Sequence, residues 1–239
     1  MQNQNFGQKG NILFIILIGV ALFTALTYTI SRSSSSVSPS SEGAEYAKAQ
    51  EILGFAEQIS SAITRLQMQN DCRTYELSLK NSVVDGYTNP NAPDDGRCSV
   101  FDNRGGAAAF QKPPVELLDE TKSSNSMYGD YLFTGAVCLD NVGTGGFASC
   151  SGDSTENEEL LLILPWIKQS TCETINRILK NPETVEDTGS SFEDTKFKGS
   201  FSEGSSIGSA GHILFRNGCF KSNTTPGNGY HFYYTLMAK

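Results

Sequence analysis

The chain has 239 residues, a formal net charge of −8 and 38% hydrophobic residues. That is enough apolar material for one real core, which excludes a wholly disordered chain. The acidic balance, with no basic stripe to offset it, excludes a surface built for phosphate backbones and so for nucleic acid.

Met1 to Gly10 form a short polar leader in which Lys9 is the only charged side chain. An apolar run follows, and no charge interrupts it from Ile12 to Ile30. As a helix this run would reach about 28 Å, close to the hydrocarbon thickness of a bilayer, so residues 11–30 are expected to form a transmembrane helix. Residues 31–43 contain eight serines and Pro39, which cannot bury apolar surface and predict a flexible linker. Everything from 44 to 239 is expected to fold as one head domain.

Within the head, Tyr46, Ala49, Leu53, Ala56, Ile59, Ile63 and Leu66 recur every three or four residues. This stripe predicts a helix from about Glu42 to Gln69 whose apolar side packs on a sheet. After Cys72 the pattern shortens. Tyr75 to Leu79 alternates like a strand, residues 87–96 are turn-rich, and Cys98 to Phe101 reads as another short strand. Asp130 to Leu139 and Leu160 to Leu164 are better strands, the second a continuous apolar run suited to a central position. Pro165 is expected to end it. A second helix is predicted over Ile167 to Leu179, stopped by Asn181-Pro182, before a polar loop from Glu183 to Ser209. His212 to Arg216 and Tyr230 to Met237 read as a final hairpin around a loop bearing Cys219. The order of elements gives an α+β domain with an antiparallel sheet.

All six cysteines lie beyond the apolar run, and none has a CxxC spacing. An even number of such cysteines predicts disulfides and therefore an oxidising compartment outside the cytoplasm. Cys138 and Cys150 flank a short Gly-rich loop, and a bridge there is worth on the order of 3 kcal/mol by chain entropy. Cys72 with Cys98 and Cys172 with Cys219 complete the expected set, although six cysteines permit many other pairings.

A polar leader ending in Lys9-Gly10, then Asn11 and an apolar helix, then a cysteine-bearing outer domain, resembles the precursor of a type IV pilin or pseudopilin. The runs Glu159 to Ile167 and Gly229 to Tyr234 are also similar to segments of bacterial pilin-like proteins. The resemblance implies processing between Gly10 and Asn11 by a prepilin peptidase, with methylation of the new amino terminus. It also implies an inner-membrane anchor that can enter a filament core, a periplasmic or extracellular pilin-like head, and other pilin-like subunits as partners. The family usually carries a Glu five residues after the cut, where this chain has Ile15. Some tip pseudopilins share that departure, which points to a minor or tip role.

Candidates for chemistry are few. His212 and His231 both fall in predicted terminal strands, and His231 stands among Tyr230, Phe232, Tyr233 and Tyr234, the setting of a packed histidine. No nucleophile elbow, phosphate loop or zinc-protease signature occurs. Asp94, Asp95 and Asp140 lie in loops where Ca²⁺ could find oxygen ligands, as do Asp153, Glu156, Glu158 and Glu159, but without an EF-hand pattern. A solvated acidic loop is the default reading of them. No cofactor is expected.

Two functional readings follow. The first is a non-enzymatic, membrane-anchored structural subunit of a surface filament or secretion apparatus. The second is a tethered adhesion or envelope-binding module that never assembles, which the serine linker and Ile15 favour. A tethered hydrolase comes third.

Overall fold

A computed structural model describes residues 16–20, 22, 41–139, 142, 158–185, 187, 189–202, 204–208 and 215–238. The chain divides into an amino-terminal unit, Met1–Ala44, and a larger unit, Glu45–Lys239. In the first unit, residues 16–20 and 22 are helical.

The larger unit is built on helix α1, Ser41–Gln69. Ala49, Ile52, Leu53, Phe55, Ala56, Ile59, Ala62, Ile63 and Leu66 are all buried, so the predicted stripe is a true face. Tyr46, at its upper end, is exposed. The face packs on a five-stranded sheet comprising β1 Leu132–Leu139, β2 Glu158–Ile167, β3 Ser205–Ile207, β4 Asn217–Ser222 and β5 Gly229–Met237, in spatial order β3-β1-β2-β5-β4. Helix α2, Gln169–Leu179, lies on the same side and ends at Lys180 in the left-handed conformation.

Strand β2 is apolar at consecutive positions because both of its faces are covered. Leu160, Leu162 and Leu164 point to the α1 core, while Leu161 and Ile163 join Phe192, Ile207, Phe220 and Tyr233 in a second cluster on the opposite face. A bulge between Thr134 and Val137 shifts the parity of β1, so Leu132, Val137 and Leu139 all reach that second cluster.

Several expectations are corrected. Among the described residues no helix is long and apolar enough to cross a membrane, so the expected transmembrane helix is not a feature of the described fold. Helix α1 is long enough but carries Glu45, Lys48, Glu51, Glu57 and Arg65. The rest of 11–30, the leader with Gly10, and linker residues 31–40 lie outside the described residues; Ser41 to Gly43 begin α1 rather than end a linker.

The sheet is mixed, not antiparallel, because β3, hidden within the polar loop 183–209, runs parallel to β1. The segments read as strands at 75–79 and 98–101 reduce to a 3₁₀ turn at Thr74–Glu76 and one parallel bridge between Ser78 and Ser99. Pro165 does not stop β2. The strand bulges between Leu164 and Ile167, where a missing N–H costs no ladder bond, and Trp166 takes up the distortion at φ 61°. Cys219 lies within strand β4, not in a loop.

Both outer strands have backbone groups already engaged. Cys219 N donates to Asn176 Oδ1 (3.0 Å), Asn181 Nδ2 donates to Asn217 O (2.8 Å), and Asp187 bridges Lys221. On the other edge, Ser191 N donates to Ser206 O (3.0 Å). The two helices are joined at their amino-terminal ends, where Glu45 Oε1 accepts from Ser170 Oγ (2.8 Å) and Thr171 Oγ1 (3.0 Å). A carboxylate at the first turn of α2 also opposes the positive end of its dipole.

Candidate binding groove

The segment from Cys72 to Phe110 has almost no regular structure, yet it is tightly held. Cys72 and Cys98 are joined by a disulfide that closes 26 residues of sequence. Next to it, Ser78 N donates to Cys98 O (3.0 Å), Val100 N to Ser78 O (2.9 Å) and Ala108 N to Val100 O (3.0 Å). Side chains then replace the missing ladder. Buried Asn89 donates from Nδ2 to Tyr75 O (2.7 Å) and Leu77 O (2.8 Å) and accepts at Oδ1 from Asn91 N (2.8 Å). Asn81 Oδ1 accepts from Val83 N (2.9 Å) and Val84 N (2.7 Å). Arg65, from α1, donates to the carbonyl of Gly106 and ties this layer to the helix.

These loops enclose a groove of about 810 Å³ whose lining includes Lys80, Asn81, Thr88, Asp94, Phe101 and Arg104. Asp102 and Arg104 form a forked pair at its edge, with Arg104 Nε to Asp102 Oδ1 at 3.0 Å and Nη2 to Oδ2 at 2.7 Å. The hydrogen bonds from Arg104 hold the pKa of the Asp102 carboxyl down at about 2. Charges of both signs, neutral amides and an aromatic ring are suited to a polar ligand held by many weak contacts. Among the described residues neither histidine nor cysteine lines the groove.

The other residues singled out in the sequence do not converge on it. Asp94 lines the groove, but the Asp95 carboxylate accepts from Arg97 N (3.0 Å) and pairs with Arg97 Nη1 (3.5 Å). Asp140, Asp153, Glu156, His212, Gly10 and Asn11 lie outside the described residues. Glu159 is buried, and its Oε2 accepts from Leu139 N (2.8 Å). Among the described residues no cluster of His, Cys, Asp or Glu has the arrangement of a metal site.

His231 is packed on the second face of the sheet between Trp166, Phe192 and Phe220, with ring centroids 5.0, 5.0 and 5.2 Å away. Burial, aided by the charge of Lys122, pushes its pKa down to about 3. A neutral imidazole in an aromatic box is packed as a core residue.

The cysteines divide into three cases. Cys138 is disulfide-bonded, and its expected partner Cys150 lies outside the described residues. Cys72 and Cys98 are bonded to each other. Cys172 and Cys219, expected to be bridged, carry free thiols. What the sequence reading missed is the groove itself, whose only advance signal was a turn-rich stretch closed by two cysteines. No family model, curated protein or solved structure matches this chain.

Proposed function

We propose that this chain is a non-enzymatic structural subunit, processed between Gly10 and Asn11, that presents its folded head outside the cytoplasm as a minor component of a surface filament or secretion apparatus. The reading rests on the resemblance carried by Lys9, Gly10, Asn11 and the apolar sequence behind them, and on one feature of the head. A 29-residue helix leads into the domain and lies along its sheet, so a pull on the amino-terminal side is distributed along the whole α1 core. The disulfide and buried polar ties around Asn89 give a rigid outer layer suited to display. Bacterial inner membrane, a prepilin peptidase and other pilin-like subunits are the corresponding surroundings; nucleic acid is not.

Intact-mass and amino-terminal analysis of protein from native cell envelopes tests this directly. The expected chain starts at Asn11 with a methylated amino group and is found in sheared filament fractions. A chain that starts at Met1 and stays in the membrane fraction overturns it.

A second reading, an adhesion or envelope-binding module that does not assemble, is favoured by the groove at Cys72 to Phe110. It requires a soluble polar ligand whose binding is lost when Lys80 and Arg104 are replaced.

A further inference from the structure

We infer that Cys172 and Cys219 form an oxidation site: a neighbouring dithiol that a small-molecule or protein disulfide converts into a cystine bolting helix α2 to edge strand β4. Three observations bring the two side chains together, and a difference in exposure distinguishes them. Cys172 is completely buried in the α1–α2 core, whereas Cys219 is half-buried, so one thiol is shielded and the other reachable. The Cys219 side chain is close enough to the Cys172 thiol to raise its pKa. Asn176 lies one turn after Cys172 on the same face of α2, and its Oδ1 accepts from the backbone N of Cys219 at 3.0 Å. The residue before Cys219 is Gly218, where a Cβ would stand 3.2 Å from Asn176 Oδ1 and 2.8 Å from Asn181 Nδ2. A side chain at 218 would push aside the Asn181 amide that helps hold β4 to the helix.

The asymmetry of exposure orders the chemistry. The Cys219 thiolate attacks one sulfur of an incoming disulfide such as oxidised glutathione, breaking its S–S bond and forming a mixed disulfide. The expelled glutathione thiolate takes up a proton. Cys172 then loses its proton and attacks the Cys219 sulfur, forming the internal S–S bond and releasing the second glutathione as a thiol. Two protein thiols are oxidised and one disulfide is reduced, so electrons and protons balance. Burial and the neighbouring Cys219 raise the pKa of Cys172, which keeps it from reacting first with a bulky oxidant. The order is therefore fixed by position. Closure would replace the side-chain hydrogen bonds of Asn176 and Asn181 with a covalent tie as the main link between α2 and β4.

The test uses the full folded chain, exposed to oxidised glutathione at neutral pH, quenched in acid, unfolded, alkylated and mapped by mass spectrometry. The expected product is a Cys172–Cys219 linked peptide, two alkylated thiols fewer, and a thermal midpoint several degrees higher that dithiothreitol reverses. Cys172→Ser is expected to stop at a stable glutathione adduct on Cys219. Cys219→Ser is expected to leave Cys172 unmodified until the protein unfolds. Wild-type protein in which both thiols stay alkylatable, or in which Cys219 carries glutathione beside a reduced Cys172, overturns the assignment.

Discussion

The backbone N–H of Trp166 donates to Nδ1 of His231 at 3.3 Å, with the two ring centroids 5.0 Å apart at 68°. The contact fixes the tautomer. Because Nδ1 accepts, the proton of the neutral ring sits on Nε2, which is buried and has no hydrogen-bond partner among the described residues. Trp166 in turn holds its left-handed φ of 61° with Nε1 donating to Ser126 O (2.9 Å) and its carbonyl accepting from Asp119 N (2.7 Å). One strained residue is thus secured from three sides.

This arrangement makes the fold acid-sensitive. His231 titrates near 3 when folded and near 6.5 when unfolded, so the unfolded chain binds the extra proton between these values. The stability contribution of the neutral ring is complete above about pH 6.5. It is lost at up to about 1.4 kcal/mol per pH unit as the pH falls toward 3. Urea midpoints measured across that window should decline in the wild type and decline less in His231→Gln, whose amide oxygen can still accept from Trp166 N.

Asn89 supports the groove from within. Replacing it with Ala leaves the carbonyls of Tyr75 and Leu77 without its two donors and should cost about 2–3 kcal/mol, visible as a lower thermal midpoint. An unchanged midpoint would mean that water replaces the amide without loss.

The Cys72–Cys98 bond closes 26 residues of sequence, which by chain entropy corresponds to about 3–4 kcal/mol. A Cys72→Ala/Cys98→Ala double variant should lose roughly that amount in denaturant titration. Proteases should then cut first between residues 80 and 96, where turns rather than ladders hold the backbone.

Gly54 lies on the exposed side of α1 with nothing within 4 Å of where a Cβ would be. Gly54→Ala should raise stability by up to about 1 kcal/mol, because the helix no longer orders a glycine. A loss on calorimetry would show that another surface needs that gap.

How far the sequence could be read depended on whether a segment declared its own surroundings. Leu160 to Leu164 announced a central strand because both of its faces are buried, and the three-and-four spacing from Ala49 to Leu66 announced a helix face. His231 was legible as a packed residue from its aromatic neighbours. Strand β3 was not legible, since Ser205-Ser206-Ile207 has no period of its own and is a strand only because β1 lies beside it. Pro165 misled for a related reason: the bulge at Trp166, a tertiary feature, removed the need for its N–H. The groove was hidden because its order comes from amides such as Asn81 and Asn89 bonding to backbone, which no pattern of hydrophobicity records.

The engaged margins of the sheet set a condition on crowding. Asn176, Asn181 and Ser191 occupy the backbone positions through which a neighbour's chain would otherwise be recruited, so dense arrays of this molecule should not convert into amyloid-like fibres. Along these described edges copies brought side by side meet side chains first, and removing the two asparagines would be the shortest route to a protein that precipitates with age.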